Sequence, residues 1–179
     1  GNVALMGELA AQGGLMALGF AVNHEGARTL ARSALAEDYE TTRQGFIKDW
    51  EDWARTLEIP YAAPELKHEA ELSAMVIKCH EDKAYGGSII ASLSIPWGSS
   101  HDDIGGYHLV WTRDAVEAAL ALITVGQVLD ASRMLAYLIG TQAPDGSWPQ
   151  NFFPDGRRYW MGNQLDEVAL PLILVAKLR

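Results

Sequence analysis

The chain has 179 residues, of which 49% are hydrophobic and 21% charged, and its net charge is −9. This is ordinary globular composition, long enough for one domain with a real core. The negative balance argues against nucleic acid or an anionic membrane as a partner held by bulk electrostatics, and fits a neutral or cationic ligand. No apolar run reaches the roughly 18 residues that a membrane helix needs. Cys79 is the single cysteine, which excludes an intrachain disulfide. Its helical neighbours predict a buried structural thiol rather than a nucleophile. The histidines are scattered, no Cys/His group has metal spacing, and nothing points to a cofactor. Gly1 is not a natural start. A piece cut from a longer chain is the expectation, which leaves targeting open.

Residues 1–23 read as strands. Asn2–Leu9 half alternates, and Gly14–Val22 is an apolar run bounded by glycine, with a buried helix as the competing reading. Two strands alone are marginal and need a partner. From His24 the helical period takes over. Tyr39, Phe46, Trp50, Trp53 and Leu57 fall on one face of a long helix, and the acidic positions of 37–58 form its wet face. Pro60 follows as a stop and Pro64 sits where a first-turn proline belongs. Leu66, Leu72, Met75, Val76 and Cys79 predict a second amphipathic helix to about Tyr85, broken by Gly86-Gly87.

Residues 88–112 lose the helical period. Ile89–Gly98 is a strand or extended loop, followed by the polar turn 99–103; an insert of this length is usually functional. Helices resume at about Asp114 with Val116, Leu120, Ile123 and Val128. Asp130 is a candidate N-cap for a further helix carrying Met134, Leu135, Leu138 and Ile139. Pro144-Asp145-Gly146 and Pro154-Asp155-Gly156 are twin turns around an aromatic, amide-rich excursion that reads as a hairpin. A last helix holds Val168, Leu172, Val175 and Leu178, and Pro171 either kinks it or marks its start. Paired helices with two long loops result. In an antiparallel array both loops can meet on one face, which predicts a shared cleft.

The loops carry the chemistry. Tyr107-His108-Leu109-Val110-Trp111-Thr112-Arg113-Asp114, behind Gly105-Gly106, packs two aromatic rings, a guanidinium and a carboxylate into a helix start. Aromatic faces suit the C–H faces of a sugar, and ionised groups bond its hydroxyls strongly. Each part also has a bland reading. Trp111 and Trp160 could be core tryptophans, Asp114 a first-turn acid favoured by the helix dipole, Asp166-Glu167 capping chemistry, His108 a satisfied structural histidine and Arg157-Arg158 solvated charge.

Taken together, Gly1–Leu5, Leu18-Gly19-Phe20, Ser92–Gly98, Gly105–Asp114 and Tyr159–Pro171 run in order across nearly the whole chain, and in this they resemble the bacterial branch of the glucoamylase family, glycoside hydrolase family 15. The resemblance implies a mainly α protein. Residues 1–23 would be the last strands of an N-terminal β-sandwich, and 24–179 a linker plus the first part of an (α/α)6 toroid with short strands in its loops. It implies an inverting exo-α-glucosidase that releases β-glucose from non-reducing ends of α-glucans or maltooligosaccharides, secreted or cell-surface in its parent form. By motif, Tyr107, Trp111, Arg113 and Asp114 form the terminal-glucose pocket, so Asp114 is a sugar ligand. Trp160, beside Gln164, is the tryptophan shared with the next sugar, and Asp166 and Glu167 support that wall. Thr112 departs from the Pro of many bacterial relatives, and Met161 from a usual small residue.

Inversion needs two carboxyl groups roughly 6.5–9.5 Å apart. In the family both are glutamates that come later, so no catalytic residue is expected in this chain, and the expectation is that it is inactive by itself. Bare apolar faces on its end helices would invite a dimer or the remainder of the domain. Two other readings stand beside this one: a non-catalytic carbohydrate-binding helical module, and a relative acting on α-1,6-glucan or trehalose.

Overall fold

The computed structural model describes residues 13–59, 63–93 and 107–179. The chain divides into two compact units, 1–55 and 56–179. Mainly helical architecture with a few short strands is what the sequence led us to expect.

In the first unit the run Gly14–Val22 forms no strand. Strands exist through ladder hydrogen bonds to a neighbour, and this segment makes none to the described residues. It lies instead against α1 (His24–Ala36): a Cβ on Gly19 would stand 1.9 Å from the Ala27 carbonyl oxygen, so only glycine fits there. The expected strand Asn2–Leu9 lies outside the described residues. Asn23 caps α1, its side-chain oxygen accepting the Gly26 N–H at 2.8 Å. The Asp38 carboxylate accepts the Thr41 N–H at 2.8 Å and starts α2 (Tyr39–Arg55). The predicted aromatic stripe is real. Phe46, Trp50 and Trp53 meet edge to face at centroid distances of 6.5 and 5.8 Å, while Leu57 falls past the helix end. The wet face carries Glu40–Arg43, Lys48–Asp52 and Glu51–Arg55 pairs, exposed contacts one turn apart that solvent screens.

The second unit holds a 3-10 turn (Pro64–Leu66), α3 (Lys67–Cys79), β1 (Val110–Trp111), α4 (Thr112–Thr124), α5 (Val128–Thr141), β2 (Asn151–Phe152), β3 (Arg158–Trp160) and α6 (Leu165–Lys177). Helix α4 is its centre and packs on α3, α5 and α6. Ala115, Ala119 and Ala131 are almost wholly buried, which lets the helix axes approach closely; Val116, Leu122, Met134, Leu138 and Leu174 fill the space between them. Trp148 is also core, with its indole N–H donating to the Leu138 carbonyl at 2.8 Å. Pro171 is buried inside α6 and neither starts nor ends it. Leu72 and Val76 on α3, and Leu172 and Ile173 on α6, remain exposed.

Several expectations meet a different outcome here, for physical reasons. Helix α3 stops at Cys79 rather than near Tyr85, because the chain turns back: Glu81 bridges Ile89, and the Asp82 carboxylate accepts the N–H groups of Ala84 and Tyr85. That end leaves Cys79 exposed rather than buried. His108, expected as a satisfied structural histidine, lies at the exposed surface. Asp130 is not the cap of α5, which begins at Val128 behind Gln127. It sits within the first turn of the helix, buried, paired with Lys78 at 3.2 Å and with Arg133.

Lys78 also pairs with Glu81, and Glu81 accepts the Gly87 N–H at 2.9 Å. Gly87 has φ +85°, and a Cβ there would meet the Arg133 carbonyl at 2.3 Å. The network thus ties α3, the 80–89 turn and α5. Lys78→Met would leave two largely buried carboxylates sharing the Arg133 guanidinium, and the expected cost is about 2 kcal/mol, below that of a fully unpaired buried charge. Urea unfolding reads it; an unchanged midpoint would mean that the pairs are merely solvated.

Candidate functional site

Two loops converge on one face, as the helix order predicts. The strands set this up. In a three-stranded antiparallel sheet of order β1-β2-β3, Val110 pairs with Phe152, Trp111 with Asn151, and Asn151 with Trp160, with an irregularity between Asn151 and Phe152. The 107–111 segment is held from its other side as well, since Ala91 and Ser92 donate to the carbonyls of Leu109 and Tyr107 at 3.0 and 2.9 Å. Of the expected strand or loop Ile89–Gly98, residues 94–98 lie outside the described residues, as do the polar turn 99–103 and Gly105-Gly106. The twin turns form as expected, with Gly146 and Gly156 at φ +85° and +86°.

Tyr107 stacks on Trp111 at 5.7 Å and 16°, and Trp111 meets Trp160 edge to face at 5.6 Å. Trp111 is 8% exposed, so it forms a floor, whereas Tyr107 and Trp160 are half-buried. One residue past Trp111 the chain enters α4. The buried Thr112 hydroxyl donates to the Pro149 carbonyl at 3.3 Å and fixes that entry. Arg113 and Asp114 therefore stand in the first turn of a rigid helix. Arg113 Nη1 donates to Asp166 Oδ2 at 2.7 Å across to the first turn of α6, while Asp114 Oδ2 is 4.0 Å from Arg113 Nε. Arg113, Asp114 and Asp166 keep about two-fifths of their side chains exposed, enough to reach a ligand. Asp114 also lines an open groove of about 340 Å³ with Ile77, His80, Ile90 and Glu117. Burial there raises its pKa from the ordinary aspartate value, against the pull of Arg113. Gln164 precedes α6 and makes no side-chain cap bond to it.

Glu167 is different. It lies one residue after Asp166, yet it is fully buried, and neither carboxylate oxygen has a hydrogen-bond partner among the described residues. Burial pushes its pKa up to about 7, Asp166 and Asp114 add to the rise, and Arg113 opposes it. A carboxyl near 7 is the usual signature of a general acid. Complete burial keeps this one away from any ligand, so its place is behind the wall.

Sequence reasoning missed Asn151. Its side-chain oxygen accepts the Trp160 N–H at 3.0 Å, so a fully buried amide holds the wall in place. An amide set between aromatics on a hairpin was the available signal. Tyr137 was missed too. Its hydroxyl donates to the Pro154 carbonyl at 2.9 Å and anchors the hairpin turn; burial pushes its pKa up to about 12. The site as a whole offers ring faces beside a forked cation and two half-exposed carboxylates. That set can orient a polyhydroxylated ring, but it presents no nucleophile paired with a base.

Comparison with known proteins gives the same direction. Residues 1–55 match the family described as Glucodextranase, domain N, and residues 70–145 match Glycosyl hydrolases family 15. A glucoamylase of Clostridium sp. (strain G0005) is 40% identical over 165 residues, covering 90% of this chain and 23% of its own length. A crystal structure of a bacterial glucoamylase complexed with acarbose superposes with a TM-score of 0.73 at 39% identity, over 87% of this chain and 23% of that one. The chain therefore spans about a quarter of the length of these relatives.

Proposed function

Given that the chain belongs to the bacterial glucoamylases of glycosyl hydrolases family 15, with part of a glucodextranase-type N domain ahead of the start of the hydrolase domain, we propose that it supplies the terminal-glucose pocket of an inverting exo-α-glucosidase. The observation that carries this reading is Arg113, bonded to Asp166 and flanked by Asp114, beside the Tyr107–Trp111–Trp160 rings. The rings take the C–H faces of the terminal glucose. Arg113 and Asp114 take its outer hydroxyls, and Trp160 with Gln164 borders the next sugar. Asp166 orients Arg113, and Glu167 supports the wall from behind. The acid and base of inversion, spaced roughly 6.5–9.5 Å apart, are glutamates elsewhere in the full-length protein. The rest of its helical ring covers Leu72, Val76, Leu172 and Ile173. Polymeric substrate goes with a secreted or cell-surface protein.

The test is hydrolysis of maltooligosaccharides by the full-length protein, followed by product chromatography and polarimetry. The expected result is glucose as the product, released first as the β anomer; oligosaccharide products or the α anomer would overturn the proposal. The 179-residue chain alone is expected to release no glucose from maltose, and release by that chain would place the catalytic pair among its own carboxylates. The match to a glucodextranase domain supports a second reading, an α-1,6-glucan substrate. Turnover of isomaltose above that of maltose would favour it.

A further inference from the structure

Among the described residues Glu167 is the only charged side chain that is buried completely. Burial by itself gives no reason for a carboxyl at this position. Glutamine or methionine would fill the same space without a group that costs free energy when it ionises. Its place in the fold gives one. Glu167 stands in the first turn of α6, next to Asp166, and the Asp166 carboxylate accepts Arg113 Nη1 at 2.7 Å across to the first turn of α4. The packing of α4 on α6 sets the gap that this bond spans. We propose that Glu167 is a positioning residue of the sugar pocket: as a neutral carboxyl it lets the starts of α4 and α6 close so that Arg113 and Asp166 stay clasped, and as a carboxylate it opens them. This rests on the terminal-glucose pocket proposed above and adds a proton-dependent control to it.

The charged groups that act on Glu167 are Asp166 on its own helix and Arg113 and Asp114 at the start of α4. Two of the three are negative. A carboxylate at Glu167 is therefore repelled by Asp166 and Asp114, and Arg113 alone attracts it. Arg113 is already committed, with Nη1 on Asp166 and Nε 4.0 Å from Asp114. Helix α5 also packs on α6, but its titratable groups are engaged elsewhere. Asp130 and Arg133 belong to the network with Lys78 and Glu81, and Tyr137 donates to the Pro154 carbonyl. An ionised Glu167 thus draws the guanidinium away from Asp166 or admits water between the two helix starts. Either change disturbs the clasp that presents Arg113 to the sugar. Burial, with help from Asp166 and Asp114, places the ionisation near pH 7. Sugar then binds the protonated form better, and by linkage a bound sugar holds that proton more tightly. A carboxyl with a purely structural role differs here. It would alter stability with pH but leave the sugar affinity of the folded protein alone.

Glucose affinity of the full-length protein at pH 5 and pH 8, followed by tryptophan fluorescence, decides it. Glucose is neutral and is not consumed. Other carboxyls titrate alike in wild type and variant, so the ratio of the two dissociation constants is compared between proteins. In wild type the constant is expected to rise from pH 5 to pH 8 by roughly fivefold more than in Glu167→Gln, which stays neutral at both. Glu167→Met, apolar and of similar length, is a second neutral variant and should give the same ratio as Glu167→Gln. Ratios as large in the variants as in wild type, with circular dichroism showing all proteins folded at both pH values, would overturn the proposal. If wild type binds no glucose at either pH, the pocket reading fails instead. The clasp is then read from the tryptophan emission of the sugar-free proteins, because Trp111 directly precedes α4 and touches Trp160. A step near pH 7 in wild type that is missing in both variants supports it, and superimposable titrations sink it.

Discussion

Arg113→Ala in the full-length protein is expected to lower kcat/KM on maltooligosaccharides by roughly 150- to 1,000-fold. A hydrogen bond to a charged group is worth about 1.5–3 kcal/mol, and the guanidinium fork can give two of them to neighbouring sugar hydroxyls. A loss of about 3–4 kcal/mol in transition-state binding gives that factor. The structure adds a second reason. Arg113 holds Asp166 at 2.7 Å, so its removal also frees a carboxylate beside the proposed pocket. Arg113→Lys keeps the charge but not the fork, and is expected to recover less than a tenth of the loss. Steady-state kinetics on maltotriose and maltoheptaose measure both variants. An Arg113→Ala enzyme within fivefold of wild type would remove Arg113 from the pocket.

Glu167→Gln is expected to remove most of one slope in the pH dependence of stability. The fold holds this carboxyl near pH 7, above the roughly 4.3 of a free glutamate. The folded state therefore binds the proton more tightly than the unfolded chain does. Its contribution is fully present below about pH 4 and is lost as pH rises through 7. Above pH 7 the buried carboxylate is charged, with neither oxygen hydrogen-bonded. The wild-type protein then gives up about 3 kcal/mol across that window relative to a neutral side chain of the same shape. Urea midpoints from pH 4 to 8 should match at the acid end, with Glu167→Gln the more stable at the alkaline end. Parallel profiles for the two proteins would mean that Glu167 is ordinary and solvated.

Local rules carried much of the fold. The 3.6-residue stripe at Phe46, Trp50 and Trp53 predicted α2, and the Pro-Asp-Gly turns came out with glycine at positive φ. Where they failed, a partner distant in sequence had intervened. Asp130 follows the pattern of a cap but is drawn into the Lys78–Glu81–Arg133 network. Cys79 and His108 have apolar neighbours in sequence yet face solvent, because a helix end and a turn point them outward. The site was legible as an inventory. Tyr107, Trp111, Arg113, Asp114 and Trp160 could be named because they gather rings and ions at one helix start and one hairpin, and because their order resembles one family.

What the sequence determined by itself is therefore periodicity, turn chemistry and the inventory of rings and ions gathered at one helix start, since these depend on neighbours within a turn or two. Tertiary structure alone decided which of those groups face outward. It joined Arg113 to Asp166 across 53 residues, used Asn151 to hold Trp160, and buried Glu167 while leaving Asp166 at the surface. Adjacent residues in a first helical turn point about 100° apart. Only the packing of α6 against α4 decides which of the two reaches the pocket and which is sealed behind it.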